Sequence, residues 1–230
     1  MVRIIIVCEG KTEVAFVRRI LYYHLMPFGI FTDPRMIPTS HRSKGGALNI
    51  QRILHYLRRV LRQQSDTYVS TFFDLYALPT DFPGLDWDYS INDPIDRVKK
   101  IEQAFHEVVV REIGCRPERF LPYIQPHEFE ALLFSDTTGF AKVIPAWKRY
   151  SQKLSMIRRN SKSPEHINDG INTHPSAQLS NTLDPEYKKV EHGEKVSAMI
   201  GIDTIRSECQ HFDQWVEQIK HLTELGYKKN

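Results

Sequence analysis

The stretch that most limits the fold is the opening "VRIIIVCEGKTEVAFVRRIL", residues Val2 to Leu21. Its apolar, β-branched run predicts a strand from Arg3 to Val7 that is buried on both faces. Burial of that kind requires neighbouring strands on either side and covering layers above and below. Gly10 then turns the chain, and from about Thr12 the apolar positions recur at helical spacing. A buried strand running straight into a helix is how a parallel α/β unit begins.

The rest of the chain repeats the alternation. "GIFTDPRMIP" reads as a turn and a short strand. "ALNIQRILHYLRRVLRQQ" is an amphipathic helix with Ile50, Ile53, Leu54, Leu57 and Leu61 on one face and Arg52, Arg58, Arg59 and Arg62 on the other. "TYVSTFFD" predicts a second buried strand ending at Asp74. A long loop follows from Leu75 to Asn92, marked by its Pro, Gly and Asp content. Asp93-Pro94 opens a helix to about Arg111, and "RFLPYIQ" is a third strand. The expected fold is α/β, a parallel sheet covered on both faces. From Thr137 the character turns helical and loop-rich. The division expected is a core over 1–136 and a C-terminal helical extension over 137–230 packed on it, or a single domain containing both. Trp215 and Phe212 read as core on a closing helix.

Composition excludes several classes. The chain has 230 residues, 41% hydrophobic and 26% charged, as ordinary globular proteins do. No apolar run approaches the roughly 20 residues that span a bilayer. The N-terminus reads as a strand and not as a signal peptide, since Glu9 and Lys11 follow its short apolar run. Cys8, Cys115 and Cys209 are too scattered for a disulfide framework or a zinc site. The expectation is a cytoplasmic protein with no membrane partner. A net charge of +3 is compatible with nucleic acid.

"GKT" at Gly10 to Thr12 is shaped like the end of a phosphate-binding loop, but the spacing fails. Such a loop needs an earlier glycine where Ile5 stands, and Glu9 would face the incoming phosphate. What remains is a carboxylate at the carboxyl end of a central strand, where open α/β sheets build their sites. Asp74 ends the second buried strand in the same way. Neighbouring parallel strands would bring Glu9 and Asp74 together, and two close carboxylates repel unless a cation neutralises them. Hard oxygen ligands suit Mg²⁺ or Mn²⁺. Such an ion can position a phosphodiester and activate water.

"CEGKTEVAFVRRIL" resembles the opening motif of Toprim domains, especially those of overcoming-lysogenization-defect nucleases. "FFDLYALPTDFPG", "YIQPHEFEALLFSD" and "SPEHINDGINTHPSAQL" are similar to the bacterial Toprim-like family of domain of unknown function 4276. The resemblance runs from Val2 to about Trp215. It implies a metal-binding Toprim fold and, for many relatives, a neighbouring ATPase in mobile-element or anti-phage defence; the leading reading built on the acids is a nuclease acting on DNA or RNA. Glu9 matches the Toprim glutamate, a general acid/base or ligand. Asp74 matches the first aspartate of Asp-x-Asp, and Tyr76 stands where the second belongs. Asp81, Glu128 or Glu130 would then complete the metal shell. On a helix, Glu130 and His127 share a face and Glu128 points away, which favours Glu130 as ligand and His127 as its neighbour or a phosphate contact.

Other residues keep two readings. Glu13 either coordinates a metal through water or favours the helix N-terminus electrostatically. Lys11 either holds a scissile phosphate or is simply exposed. Arg42, Lys44, Arg52, Arg58, Arg59 and Arg62 form either a phosphate-binding stripe beside the site or a solvated helix face. Asn168 and Ser176 are candidate polar contacts. The expected function is therefore a metal-dependent nuclease. The alternative is a non-catalytic Toprim-fold partner, or a nucleotide-sensing subunit, of an ATPase.

Overall fold

A computed structural model describes residues 1–38, 49–63, 67–85, 91–167 and 173–227. The first strand, β1 (Val2–Cys8), leads through Glu9 and Gly10 into α1 (Lys11–Phe16), which continues by a π-helical turn (Val17–Leu21) into α2 (Tyr22–Leu25). β2 (Ile30–Met36) returns parallel to β1 along its full length, Val2 opposite Ile30 and Cys8 opposite Met36. The short strand expected there is thus seven residues long. α3 (Ile50–Gln63) and β3 (Tyr68–Asp74) follow, with β3 parallel to β1 on its other side. α4 (Pro94–Ile113) is capped by Asp93, whose Oδ1 accepts from the Ile95 and Asp96 N–H groups.

The third predicted strand is split. β4 (Phe120–Leu121) and β5 (Ile124–Gln125) each pair with β3, and Pro122, which has no N–H to give a ladder, stands between them. The Thr71 hydroxyl covers the break, accepting from the Tyr123 N–H at 2.9 Å and lying 3.1 Å from the Tyr123 carbonyl. The result is a five-stranded parallel sheet of order β2-β1-β3-β4, with β5 also on β3.

Alternation along the two inner strands divides the core. Ile4, Ile6, Cys8, Tyr68 and Phe72 point into one hydrophobic cluster; Ile5, Val7, Val69 and Phe73 point into the other. The second cluster is closed by the apolar faces of α3 and α4. The first takes Phe16, Val17 and Leu21 from the opening helix and also Phe140, Trp147, Leu179, Val196, Phe212 and Trp215 from beyond residue 137. The C-terminal segments therefore share one core with the sheet. They comprise α5 (Gly139–Val143), a 3-10 stretch (Pro145–Tyr150), α6 (Ser151–Arg159), α7 (Pro175–Ser180), α8 (Lys189–Ile200), α9 (Ile202–Glu208) and α10 (Gln210–Tyr227). Trp215 and Phe212 are buried, as their place on the closing helix predicts. Among the described residues, no helix is long and apolar enough to cross a membrane.

Helix α8 approaches α1 closely at Gly193. A Cβ there would lie 2.8 Å from Thr12 Cγ2, 3.1 Å from Tyr187 Oη and 3.3 Å from Phe129. Glycine in a helix interior costs about 1 kcal/mol against alanine, and this close approach is what it gives in return. Gly193→Val is expected to lower stability by about 1–3 kcal/mol through overpacking. Urea unfolding midpoints read the loss directly, and an unchanged midpoint would mean that α8 does not seat this closely on α1.

Candidate functional site

Strand ends place the acids. β1 and β3 are parallel neighbours with Cys8 opposite Phe72, so Glu9 and Asp74 leave the sheet at the same end. The Glu9 Oε2 atom accepts the backbone N–H of Asp74 at 3.2 Å, and the Glu9 N–H donates to the Phe72 carbonyl at 3.3 Å. Asp74 Oδ1 accepts the Phe129 N–H at 2.9 Å. Glu13, in the first turn of α1, reaches back so that its Oε2 accepts the Gly10 N–H at 2.9 Å. The turn between β1 and α1 is thus closed by a carboxylate, with extended backbone at Gly10, and forms no phosphate loop.

Electrostatics follow from that crowding. Burial raises Asp74 well above the ordinary carboxylate range; the charges of Glu13, Glu9 and Glu130 raise it further, and Lys189 opposes them. Glu9 is exposed as a residue, with one carboxylate oxygen turned onto the Asp74 N–H. Desolvation raises its pKa against the Asp74 N–H and Lys189, with Glu128 and Glu130 adding to the rise. Glu13 is raised by burial and by Glu9. Glu130, 1% exposed, is raised by burial to about 7 despite its contact with Lys189.

The segment carrying Glu130 departs from the helix expected for it. His127 has φ 62°, Glu128 is extended, and Phe129–Ser135 is a 3-10 helix buried nearly throughout. The three-residue spacing therefore does not pair His127 with Glu130. His127 Nδ1 lies 2.9 Å from the Tyr76 hydroxyl, and the Tyr76 N–H donates to the His127 carbonyl. Tyr76, in the place of the second aspartate, braces this turn. Glu128 does not point away from Glu130 either: both carboxylates meet the Lys189 ammonium, at 2.7 and 3.1 Å.

Glu128 is the anchor of the group. It accepts from the Ser176 N–H, from the Ser176 hydroxyl at 3.0 Å and from Lys189, and its Oε1 lies 2.9 Å from His174 Nδ1. Burial opposes ionisation, but Lys189, Ser176 and His174 together hold its pKa below the usual value. Ser176 is accordingly buried against Glu128. In the preceding motif Glu165 caps the first turn of α10, accepting the His211 and Phe212 N–H groups at 3.0 Å. His166 bonds Ser163 and Asp93.

The remaining candidates scatter. Asp81 accepts the Ile50 N–H at 3.2 Å and so caps α3. Lys11 is exposed at the start of α1. Helix α3 runs antiparallel to the strands, which carries its last turn away from Asp74. Arg58 donates to the Glu112 carbonyl at the end of α4, and Arg119 ties the Leu61 and Thr67 carbonyls together at the amino end of β3. Arg58 and exposed Arg62 therefore sit at the opposite end of the sheet from the carboxylates. Arg42, Lys44 and Asn168 lie outside the described residues.

Sequence reasoning missed Lys189, Tyr187, whose hydroxyl bonds Glu130 at 3.3 Å, and the anchoring role of Glu128. One signal was available for the lysine. Gly193 and Ser197 follow it at four-residue intervals, flanked by the apolar Val196 and Ile200, marking a tightly packed helix face on which Lys189 also lies.

The donor chemistry fits a hard divalent ion. Glu9, Glu13 and Asp74 each commit one oxygen to a backbone N–H, and like-charge crowding favours a cation beside them. Among the described residues, no three His, Cys, Asp or Glu side chains already stand close enough to hold an ion.

No curated protein and no solved structure matches the chain. One family model does match, from residue 8 to residue 220, and so takes in β1's carboxyl end, Asp74, the Glu128–Glu130 segment and Lys189 alike. The chain belongs to the family described as Domain of unknown function (DUF4276).

Proposed function

We propose that this protein is a metal-dependent nuclease whose sheet is of the Toprim kind, hydrolysing phosphodiesters of DNA or RNA. The observation that carries this reading is the meeting of Glu9 and Asp74 at the carboxyl ends of neighbouring parallel strands, in a crowd of acids whose pKa values are raised. Glu9 and Asp74 would hold Mg²⁺ or Mn²⁺, with Glu130 as third ligand and Glu13 in support. Once bound, the ion supplies a Lewis acid for the phosphoryl oxygen and a means of activating water. Glu9, whose pKa is raised by desolvation, would serve as the general base if it is not itself a ligand. Lys11, exposed beside Gly10, is the nearest basic residue in sequence for a phosphate. The Toprim resemblance further supports an ATPase partner and a role as the effector in anti-phage or mobile-element defence, in the cytoplasm.

A second reading has its own observations. Lys189 already supplies a positive charge to the acids, and Tyr76, in the second aspartate's place, serves to brace His127. A protein that kept this fold for docking on an ATPase would look the same in those respects. Cleavage of single- and double-stranded DNA and RNA with Mn²⁺, with and without the ATPase, separates the two. The nuclease reading expects wild-type cleavage that falls at least a hundredfold, roughly the weight of one group poised at the reacting centre, in Glu9→Gln and in Asp74→Asn. Cleavage that survives both substitutions, or no cleavage with the ATPase present, would leave the docking reading.

A further inference from the structure

The Lys189 ammonium bridges two carboxylates that are not held alike. Glu128 has three partners besides the lysine: the Ser176 N–H, the Ser176 hydroxyl and His174. Among the described residues, the side-chain partner of Glu130 other than the lysine is the Tyr187 hydroxyl at 3.3 Å, which is long for an O–H···O bond. Glu128 is therefore the more firmly held of the two carboxylates, and Glu130 leans more on the lysine. Lys189 is also about half exposed, with its side chain at 46% of full accessibility, so its stem can turn outward without disturbing the core. Its positive charge acts on Glu9, Glu13 and Asp74 as well. A dication at those acids and an ammonium on Glu130 would repel each other.

We infer that Lys189 is a built-in counter-ion that competes with the divalent cation for Glu130, letting go of Glu130 and keeping Glu128 when the ion enters. The inference rests on the metal-site reading above. It gives the lysine two effects that a merely structural residue would not combine. Lys189 stabilises the metal-free protein, and it sets how much free ion is needed before the acids are occupied.

Calorimetric titration with Mn²⁺ alone tests this on wild type, Lys189→Met, Lys189→Arg and the double variant Glu9→Gln/Asp74→Asn. The expected result is about tenfold tighter Mn²⁺ binding in Lys189→Met, since a nearby like charge has gone, together with a lower metal-free melting temperature. Lys189→Arg, which keeps the charge, should bind as wild type does. Mn²⁺ binding that is lost in the double variant but unchanged or weakened in Lys189→Met would keep the metal site and overturn the competition. Absence of Mn²⁺ binding in both wild type and Lys189→Met would overturn both. A second measurement needs no variant at position 189. Acetylation of Lys189 in the wild type, followed by mass spectrometry, should become several-fold faster with Mn²⁺ and should not change in the double variant. An unchanged rate in wild type at saturating Mn²⁺ would equally overturn the inference.

Discussion

Trp215→Ala is expected to lower stability by about 3–5 kcal/mol, the usual loss when a large buried aromatic is truncated. The indole is 2% exposed, lies flat on Tyr123 with centroids 4.4 Å apart, and meets Phe72 and Phe212 edge-on or tilted at 5.4 and 5.7 Å. Its Nε1 donates to the Ser70 hydroxyl at 2.9 Å, and that hydroxyl in turn reaches the Leu121 carbonyl. One side chain on α10 thus fastens β3, β4 and the Pro122 break at once. Trp215→Phe keeps most of the apolar contact and gives up the hydrogen bond, so a loss nearer 1 kcal/mol is expected. Urea unfolding of the two variants separates packing from bonding. Equal, small losses would mean that the C-terminal helices do not share the sheet's core.

The second large effect is on pH dependence without metal. Glu130 titrates near 7 in the folded protein against 4.5 when unperturbed, and Glu9, Glu13 and Asp74 are raised too. A carboxyl with a raised pKa keeps its proton in the folded state after the unfolded chain has released it. Stability from such a group is therefore full below the unfolded pKa and lost as pH rises through the folded one. For Glu130 the window is about pH 4.5 to 7, and the loss is on the order of 3 kcal/mol. His24 and His192, lowered by burial, work the other way as pH rises toward their ordinary value. Below about pH 4.5 the depressed carboxyls of Glu128, Asp33 and Asp93 lose their contribution as pH falls. Metal-free stability should thus decline from mildly acidic to neutral pH. The Glu9→Gln/Asp74→Asn double variant should decline less and gain on the wild type across that range. Melts in chelator from pH 4.5 to 8 measure both curves, and a constant difference between them would mean that these acids are not strained.

The parts of the fold legible in the sequence were those that apolar runs delimit. β1 and β3 are seven-residue stretches whose ends fall where a charged side chain interrupts the run, so Glu9 and Asp74 could be placed at one sheet edge without coordinates. The cap at Asp93 and the arginine-bearing face of α3 were legible for the same kind of reason, since caps and amphipathic faces are local. The His127–Glu130 turn was not. Its side chains are apolar or buried all round, so periodicity could not tell an α-helix from a 3-10 helix, and the positive φ at His127 leaves no mark in composition. Lys189 was hidden differently. It is one of two adjacent lysines, and although the small-residue face of its helix marks which one turns inward, the two acids it meets lie about sixty residues away in sequence. Tyr76 shows the remaining limit: a missing aspartate can be read from sequence, but not the use to which the replacement is put.

The most direct test of the central claim, that Glu9 and Asp74 form one cation site, is the melting temperature with and without Mn²⁺ in wild type and in the Glu9→Gln/Asp74→Asn double variant. Binding only to the folded state stabilises it by about 2.7 kcal/mol at a hundredfold excess over Kd, roughly 5–10 °C for a chain of this size. The wild type should show that rise and the double variant almost none. Equal rises in the two proteins would place the ion elsewhere and contradict the account.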